Sequence, residues 1–436
     1  MKRVRGFTDL IFDVVDETAD LIELTHNEVM ARTRRRCAFF QPVKSVADVV
    51  TGIHGGIAGT VFKSIRGING VARLSVNAVT NIAAAGVGYS SYAARHELVT
   101  PMHSSAAGSL TWCVDYLQSS LNGLWGDYLY RKNSALDAGM TLRHNGRVLP
   151  PTAAHLATAF PNPTNKICVF VHSLASTEWL WTLSSAHHYN GDTGISFGSR
   201  LHADLDFTPV YIRYNTGRHI SDNGRQLAGL IDKLVAEFPV PVAEVALVGH
   251  SMGGLVARSA ARYGSQQDLP WIEHLRHVAC VGAPNLGAPL EKTVNLLTGL
   301  LGSVDSAVAQ VPARFLNSRS AGIKDLRYGY TVDEEWAGKN PDALFANARL
   351  DIPLVDGVGY YFFAATLSED PEHPLGKLLG DLLVRLPSAS GNTVDPARRI
   401  PFSRGKLFAG MSHVHIANHP DIYKILRHFL GQTAVQ

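Results

Sequence analysis

"VALVGHSMGGLVARSA", residues 245–260, decides how this chain is read. It passes from a β-branched apolar run, through a serine boxed by glycines, into residues at helical spacing. Gly249-His250-Ser251-Met252-Gly253 fits the pattern G-x-S-x-G, in the strand–turn–helix setting that the pattern requires. The need for glycine on both sides is spatial: so tight a turn brings strand and helix nearly into contact, where only a residue without a side chain fits. Ser251 is then held exposed beyond the strand end. The helix starting directly after it points free N–H groups and a positive dipole end at the hydroxyl, as an oxyanion requires. Ser251 is therefore the candidate nucleophile, against the plainer reading of a turn serine between chance glycines.

On either side the same alternation continues. "TLRHNGRVLP" (141–150) places Asn-Gly between two short strand-like runs, the strongest short hairpin signal. Strand-like segments follow at "KICVFVHS", "PVYIRYN", "EVALVGH", "HVACVGAP", "YYFFAAT" and "KLFAG", with helices expected over about 220–237, about 252–263 and from Pro420. Strands alternating with helices predict an α/β fold: a mostly parallel sheet sandwiched by helices. The expected catalytic domain runs from 138 to 436. Residues 291–355 break the alternation and are expected to be a lid-like insertion, with an apolar stripe through Leu297, Leu300, Leu301, Val304, Val308, Val311 and Phe315.

Residues 1–137 differ in texture and form an expected N-terminal helical region. From Asp9 to Val29 apolar residues recur at helical spacing opposite acids, an amphipathic helix. Residues 45–95 are small, apolar and dotted with glycine. They suit helices packed on one another or on the catalytic domain, or else a helix lying on an anionic membrane or lipid granule. Asp9, Asp13, Asp16 and Glu17 interrupt any signal-peptide core, and the uncharged stretch 74–94 is too diluted by polar residues to span a bilayer.

Composition narrows the classes. Hydrophobic residues make up 46% and charged residues 18%, as in a globular protein, and a net charge of +3 gives no footing for nucleic acid. Cys37, Cys113, Cys168 and Cys280 have no paired spacing and suit buried thiols in a reducing compartment, hence the cytoplasm. No metal-ligand set, phosphate loop or dinucleotide fingerprint is evident, so neither metal nor cofactor is expected.

A serine nucleophile needs a base, and the base needs a carboxylate, sought downstream in the order serine, acid, histidine. Together "VFVHSLAS", "GHSMGG", "VGAPNLGAP", "GDLLVRLPSASG" and "GMSHVHIANHPDIY" resemble, in their order, the bacterial lipase and carboxylesterase branches of the α/β-hydrolase superfamily, over about 138–436. The resemblance implies that "GDLLVRLPSASG" carries the acid at Asp381, with Leu382 where glycine is usual. Asp381 is also a lone carboxylate beside apolar Leu382, Leu383 and Val384, whereas Glu369, Asp370 and Glu372 form an acidic cluster suited to a solvated loop; Asp370 is the second candidate. The family's histidine sits after the last strand, which points to His413. His415 competes with it, and His419 and His428 suit structural places. The resemblance further implies an oxyanion hole from the amides of Met252 and Leu174. The usual His-Gly of that loop is here His172-Ser173, and His172 suits a loop-orienting donor. Tyr214 and Asn215 are candidates for the pocket edge.

The activity implied is that of a serine hydrolase on small-molecule or lipid carboxylic esters, through Ser251, His413 and Asp381 and an acyl-enzyme. The alternatives are an acyltransferase, a polyester or lipid hydrolase touching a membrane or granule through residues 1–137, and a non-catalytic binding module on the same fold.

Overall fold

The structure is a computed structural model and describes residues 106–432 apart from 135, 289–318, 343–346, 367–380, 382–383 and 394, together with Glu23 and Arg66. The amphipathic segment 9–29, the glycine-dotted stretch 45–95 and the stripe from Leu297 to Phe315 lie outside the described residues. By its internal contacts the chain divides into two units, 1–117 and 118–436. Within the first unit Glu23 and Arg66 form an ion pair.

The second unit is built on one eight-stranded sheet. Helix α1 (Ala106–Arg131) enters it, interrupted at Trp125, whose backbone is non-helical. The hairpin β1 (Met140–His144) and β2 (Arg147–Leu149) turns through Asn145 and Gly146, both at positive φ (49° and 76°). This is the type I′ geometry that Asn-Gly favours. Then come α2 (Ala153–Ala159), β3 (Lys166–Val171), α3 (Ser185–His188), α4 (Phe197–Leu205), β4 (Phe207–Tyr214), α5 (Ile220–Ala236), β5 (Glu244–His250) and α6 (Met252–Gln266). The chain continues through β6 (Leu275–Val281), α7 (Ala321–Asp325), β7 (Gly359–Ala365), α8 (Leu386–Ala389), β8 (Arg404–Phe408) and α9 (Pro420–Leu430).

The strand order is β2-β1-β4-β3-β5-β6-β7-β8, with β1 antiparallel to both neighbours and β3 to β8 parallel. The expected mostly parallel sheet is therefore what the chain forms. Its near-continuous apolar strands are the mark of a sheet covered on both faces. Ile167, Val169, Val171, Val245, Leu247 and Val278 face α5 and α6, while Cys168, Phe170, Ala246, Val248, Ala279 and Val281 face α4 and α9. The two-residue period of the strands sorts the core into two halves.

The described part of the expected insertion packs on the loops after β4 and β6, where the Gly322 N–H donates to Gly217 O at 3.1 Å and the Ala288 N–H to Leu326 O at 2.7 Å, and also on the helical layer. Ser259 Oγ in α6 donates to Thr331 O at 2.6 Å, Trp336 Nε1 donates to Ser221 Oγ in α5 at 2.9 Å, and Leu326 and Val332 join the core of that face. The compact unit also begins ahead of the expected start at 138. Its first residues are the C-terminal half of α1, which docks on the loop after β4: Asn215 Nδ2 donates to Gly126 O at 2.9 Å, and the Arg218 guanidinium lies 3.7 Å from the Tyr130 ring centroid. No helix among the described residues is long and apolar enough to cross a membrane.

A buried ion pair ties β4 to the turn of 3₁₀ helix after β3. Arg213 Nε and Nη2 donate to Glu178 Oε2 and Oε1, each at 2.7 Å, with side chains 3% and 5% exposed. Removing one partner leaves the other charge buried without its counter-ion, which costs about 3–5 kcal/mol. Glu178→Ala is expected to lower the unfolding free energy by that amount in urea denaturation. A change below about 1 kcal/mol would mean that the pair contributes no more than a surface contact.

Candidate active site

The site is assembled where the parallel strands end. Ser251 occupies the single residue between β5 and α6 with φ 53° and ψ −121°, a conformation that L-residues rarely adopt. It is enforced from both sides. A Cβ on Gly249 would lie 2.3 Å from the carbonyl of Gly253, and a Cβ on Gly253 would lie 2.2 Å from Val171 O. The first turn of α6 is thus pressed onto the ends of β3 and β5. The Ser251 N–H donates to Val281 O at 2.8 Å, which locks the turn to the end of β6, and the Ser251 side chain does not cap the helix. Ser251 is 9% exposed, in contrast to the fully buried Met252 beside it.

Asp381 and His413 come from two different loops, one after β7 and one after β8, and they meet. His413 Nδ1 donates to Asp381 Oδ2 at 2.7 Å, and the His413 N–H donates to Asp381 O at 3.2 Å. Asp381 Oδ1 accepts the Val384 N–H at 2.8 Å. The two side chains are 1% and 6% exposed, so the pair is shielded from solvent. With Nδ1 committed to the carboxylate, Nε2 of His413 is the nitrogen that carries a lone pair. The ring lies against the Ser251 turn. A Cβ on Gly282, one residue beyond the carbonyl that holds Ser251, would be 3.4 Å from His413 Cε1 and Nδ1, and the His250 and His413 ring centroids are 5.0 Å apart.

The competing residues are placed elsewhere or not described. His415 and His428 are exposed, and His419 Nδ1 caps α9 by accepting the Asp421 N–H at 3.2 Å. Asp370, together with Leu382 and Leu383, lies outside the described residues.

Leu174 sits on the loop after β3, and the residue at positive φ there is Ala175 (φ 53°), not Ser173. Buried polar groups set this loop. His172 Nδ1 donates to Ser173 O at 2.9 Å, its Nε2 accepts the Tyr214 N–H at 3.3 Å, and the Tyr214 hydroxyl donates to His172 O at 2.9 Å. The His172 and Tyr214 rings stack at 4.6 Å. His172 therefore orients the loop. Tyr214 and Asn215 are each 1% exposed and so do not border an open pocket; Tyr214 braces this loop, while Asn215 Nδ2 donates to Gly126 O and to Asp137 Oδ1. Helix α1 presses on the loop too, since a Cβ on Gly123 would lie 2.7 Å from Ala175 Cβ.

One contributor escaped sequence reasoning. His250, the variable residue between Gly249 and Ser251, donates Nε2–H to His413 O at 2.9 Å and so fixes the backbone of the loop that carries the histidine. Its Nδ1 is buried without a partner. The signal was present as a histidine beside the nucleophile, but its partner lies 163 residues away in the chain.

Comparison with known proteins finds one family match and several distant structural likenesses. The family described as "PGAP1-like alpha/beta domain" matches residues 206–340. No curated protein sequence matches the chain significantly. Among solved structures, an α/β-hydrolase fold protein from Chitinophaga pinensis is 10% identical, with 62% of this chain and 90% of that chain covered and a TM-score of 0.32. A putative esterase from Staphylococcus aureus is 12% identical over 62% and 77%, with a TM-score of 0.34. The NocB thioesterase domain from the nocardicin cluster is 14% identical over 62% and 96%, with a TM-score of 0.29. Likeness at this level carries no weight for chemistry; the sheet order and the turn at Ser251 define the fold.

Burial pushes both His172 and His250 down from 6.5 to about 3, with the neighbouring His413 imidazole adding to the effect at His250. Both rings stay neutral in the fold, while the unfolded chain takes up their protons near 6.5. The unfolded state thus binds more protons between those values, so stability is lost as the pH falls. From pH 6.5 to about pH 5 the loss from the two rings is expected to be roughly 3 kcal/mol. Urea unfolding at the two pH values measures it, and His250→Asn should make the dependence shallower; a pH-independent unfolding free energy would contradict the assignment.

Proposed function

From the premise that this chain has the α/β-hydrolase fold, we propose that it hydrolyses carboxylic esters through Ser251, His413 and Asp381. The observation that carries the reading is the bond of 2.7 Å between His413 Nδ1 and Asp381 Oδ2, with the ring beside His250, the residue that precedes a serine held at φ 53°. A carboxylate on Nδ1 leaves Nε2 as the base and stabilises the imidazolium once it forms.

The steps follow from those placements. Nε2 of His413 takes the Ser251 proton, and Oγ attacks the acyl carbon, giving a tetrahedral oxyanion. The amides of Met252, at the N-terminus of α6, and Leu174 receive that charge, aided by the positive end of the helix dipole. His413 then protonates the leaving alcohol. Water attacks the acyl-enzyme with His413 as base, and the acid departs as Ser251 regains its proton. His250 works one step removed: by holding His413 O it positions the imidazole without touching substrate. The substrate is a small-molecule or lipid ester. Cys168 and Cys280, buried thiols whose deprotonation burial opposes, fit a reducing compartment such as the cytoplasm.

Ser251→Ala is expected to lower kcat on p-nitrophenyl esters by on the order of 10⁶ and to abolish labelling by a fluorophosphonate probe. Asp381→Asn should cost about 10⁴, because the wrong tautomer of His413 is then favoured. Turnover at the wild-type rate by Ser251→Ala, or failure of the probe to label the folded protein, would overturn the reading. A profile across esters from acetate to palmitate then reports the acyl length accepted.

A further inference from the structure

Two buried arginines of this chain are used differently. Arg213 sets the Nε–Nη2 edge of its guanidinium against a carboxylate and meets the two oxygens of Glu178, each at 2.7 Å. Arg258, in α6 seven residues beyond Ser251, is 7% exposed, yet among the described residues it meets no carboxylate at ion-pair distance. Its Nη1 donates to Asn285 Oδ1 at 3.1 Å, and its Nε is buried without a partner. The edge that Arg213 turns to Glu178 is therefore the edge that Arg258 leaves unused. A guanidinium cannot shed its proton to relieve such a position, and a buried charged donor without a partner is costly. Native proteins satisfy such groups with an ion or ordered water.

Two further guanidiniums belong to the same region. The Arg258 guanidinium lies 6.0 Å from the Phe402 ring centroid, and the segment leading into Phe402 carries Arg398. Arg398 Nη2 donates to Arg349 O at 2.8 Å and Arg349 Nη2 to Arg398 O at 2.6 Å, so each half-buried arginine holds the other's backbone, and among the described residues neither meets a carboxylate at ion-pair distance. Burial, then the charges of Arg398 and Arg258, hold the Arg349 pKa below the ordinary arginine value, which puts Arg349 within electrostatic reach of both. The carboxylates nearby are otherwise engaged. Glu335, 1% exposed, accepts the Thr331 and Val332 N–H groups on Oε2 and the Leu350 N–H on Oε1, and burial raises its pKa. Glu335 and the exposed Asp351 support the Arg349 charge from a distance. Asp395 and Arg399, which flank Arg398, are exposed.

We propose that Arg258, Arg349 and Arg398 form a binding site for a phosphate group, free or as the head of a phosphomonoester, with the Nε–Nη2 edge of Arg258 meeting two of its oxygens. A tetrahedral dianion suits the place better than a carboxylate, because it keeps oxygens for the other two arginines and carries charge enough for more than one cation. Neither Ser251 nor His413 takes part, so the site stands apart from the proposed hydrolysis. It does join elements that frame the triad: Asn285, which accepts from Arg258, donates Nδ2 to Ala389 O at 2.9 Å and so ties α6 to α8, the helix that follows the loop of Asp381.

Calorimetric titration of the full chain with inorganic phosphate in a chloride buffer tests the proposal, with glycerol phosphate and acetate as the other arms. The expected result is one site per chain for inorganic phosphate or glycerol phosphate, the tighter of the two identifying the source, and the site is retained in Ser251→Ala. Arg258→Lys keeps the charge but loses the fork, and it should weaken binding about tenfold or more, as should Arg398→Gln. The tighter phosphate should also raise the midpoint of thermal unfolding of the wild type, and raise it less in the variants. Arg398 is half-buried and donates to a backbone carbonyl, so Arg398→Gln keeps the test decisive if Arg258→Lys fails to fold. Failure of both phosphates to bind, unchanged affinity in either folded variant, or acetate binding as tightly as phosphate would overturn the proposal. Loss of binding in Ser251→Ala would place the phosphate at the nucleophile and end it.

Discussion

The contact on which the rest depends is the backbone collision course between the first turn of α6 and the ends of β3 and β5. At Gly249 and Gly253 the chains approach so closely that a methyl group would sit 2.2–2.3 Å from a neighbouring backbone atom. Nothing but glycine relieves that, and the residue left between them must turn back at positive φ. Ser251 is therefore strained by its surroundings, which over-determine its conformation through the Val281 carbonyl and the start of the helix. From the same approach follows the electrostatics: helix entry beside the hydroxyl puts N–H groups where an anion would form.

Around this point the loops at the sheet's C-terminal edge are held by buried polar groups that answer one another. His172 and Tyr214 set the loop after β3, Asn215 binds α1 to the loop after β4, and His250 holds the loop after β8. Such networks are costly when incomplete and rigid when satisfied. The unpartnered Nδ1 of His250 is an exception inside the network.

Local patterns carried the sheet. The continuous apolar runs within Lys166–Val171 and Glu244–His250, the Asn-Gly turn and the helical spacing after Met252 are readable because each depends on neighbours within a few residues. The insertion was legible only as a break in alternation; its described part, Ser320 to Val332, packs on α1, α5 and α6 and on the loops after β4 and β6. Where an irregular segment buries its apolar residues depends on which surface is vacant, and periodicity says nothing of that.

By itself the sequence determined the turn at Ser251, since two glycines at that spacing after an apolar strand admit almost one backbone path. It also determined the order and faces of the elements that flank the turn. Only the tertiary structure decided which histidine meets which carboxylate, because Asp381 and His413 lie 32 residues apart on separate loops and their 2.7 Å contact depends on where β7 and β8 end. It likewise decided that His250 serves the His413 loop, that Tyr214 and Asn215 are buried rather than at a pocket edge, and that the C-terminal half of α1 docks on the loop after β4. These are meetings between residues distant in the chain, and local pattern cannot specify a distance that the packing of the whole core sets.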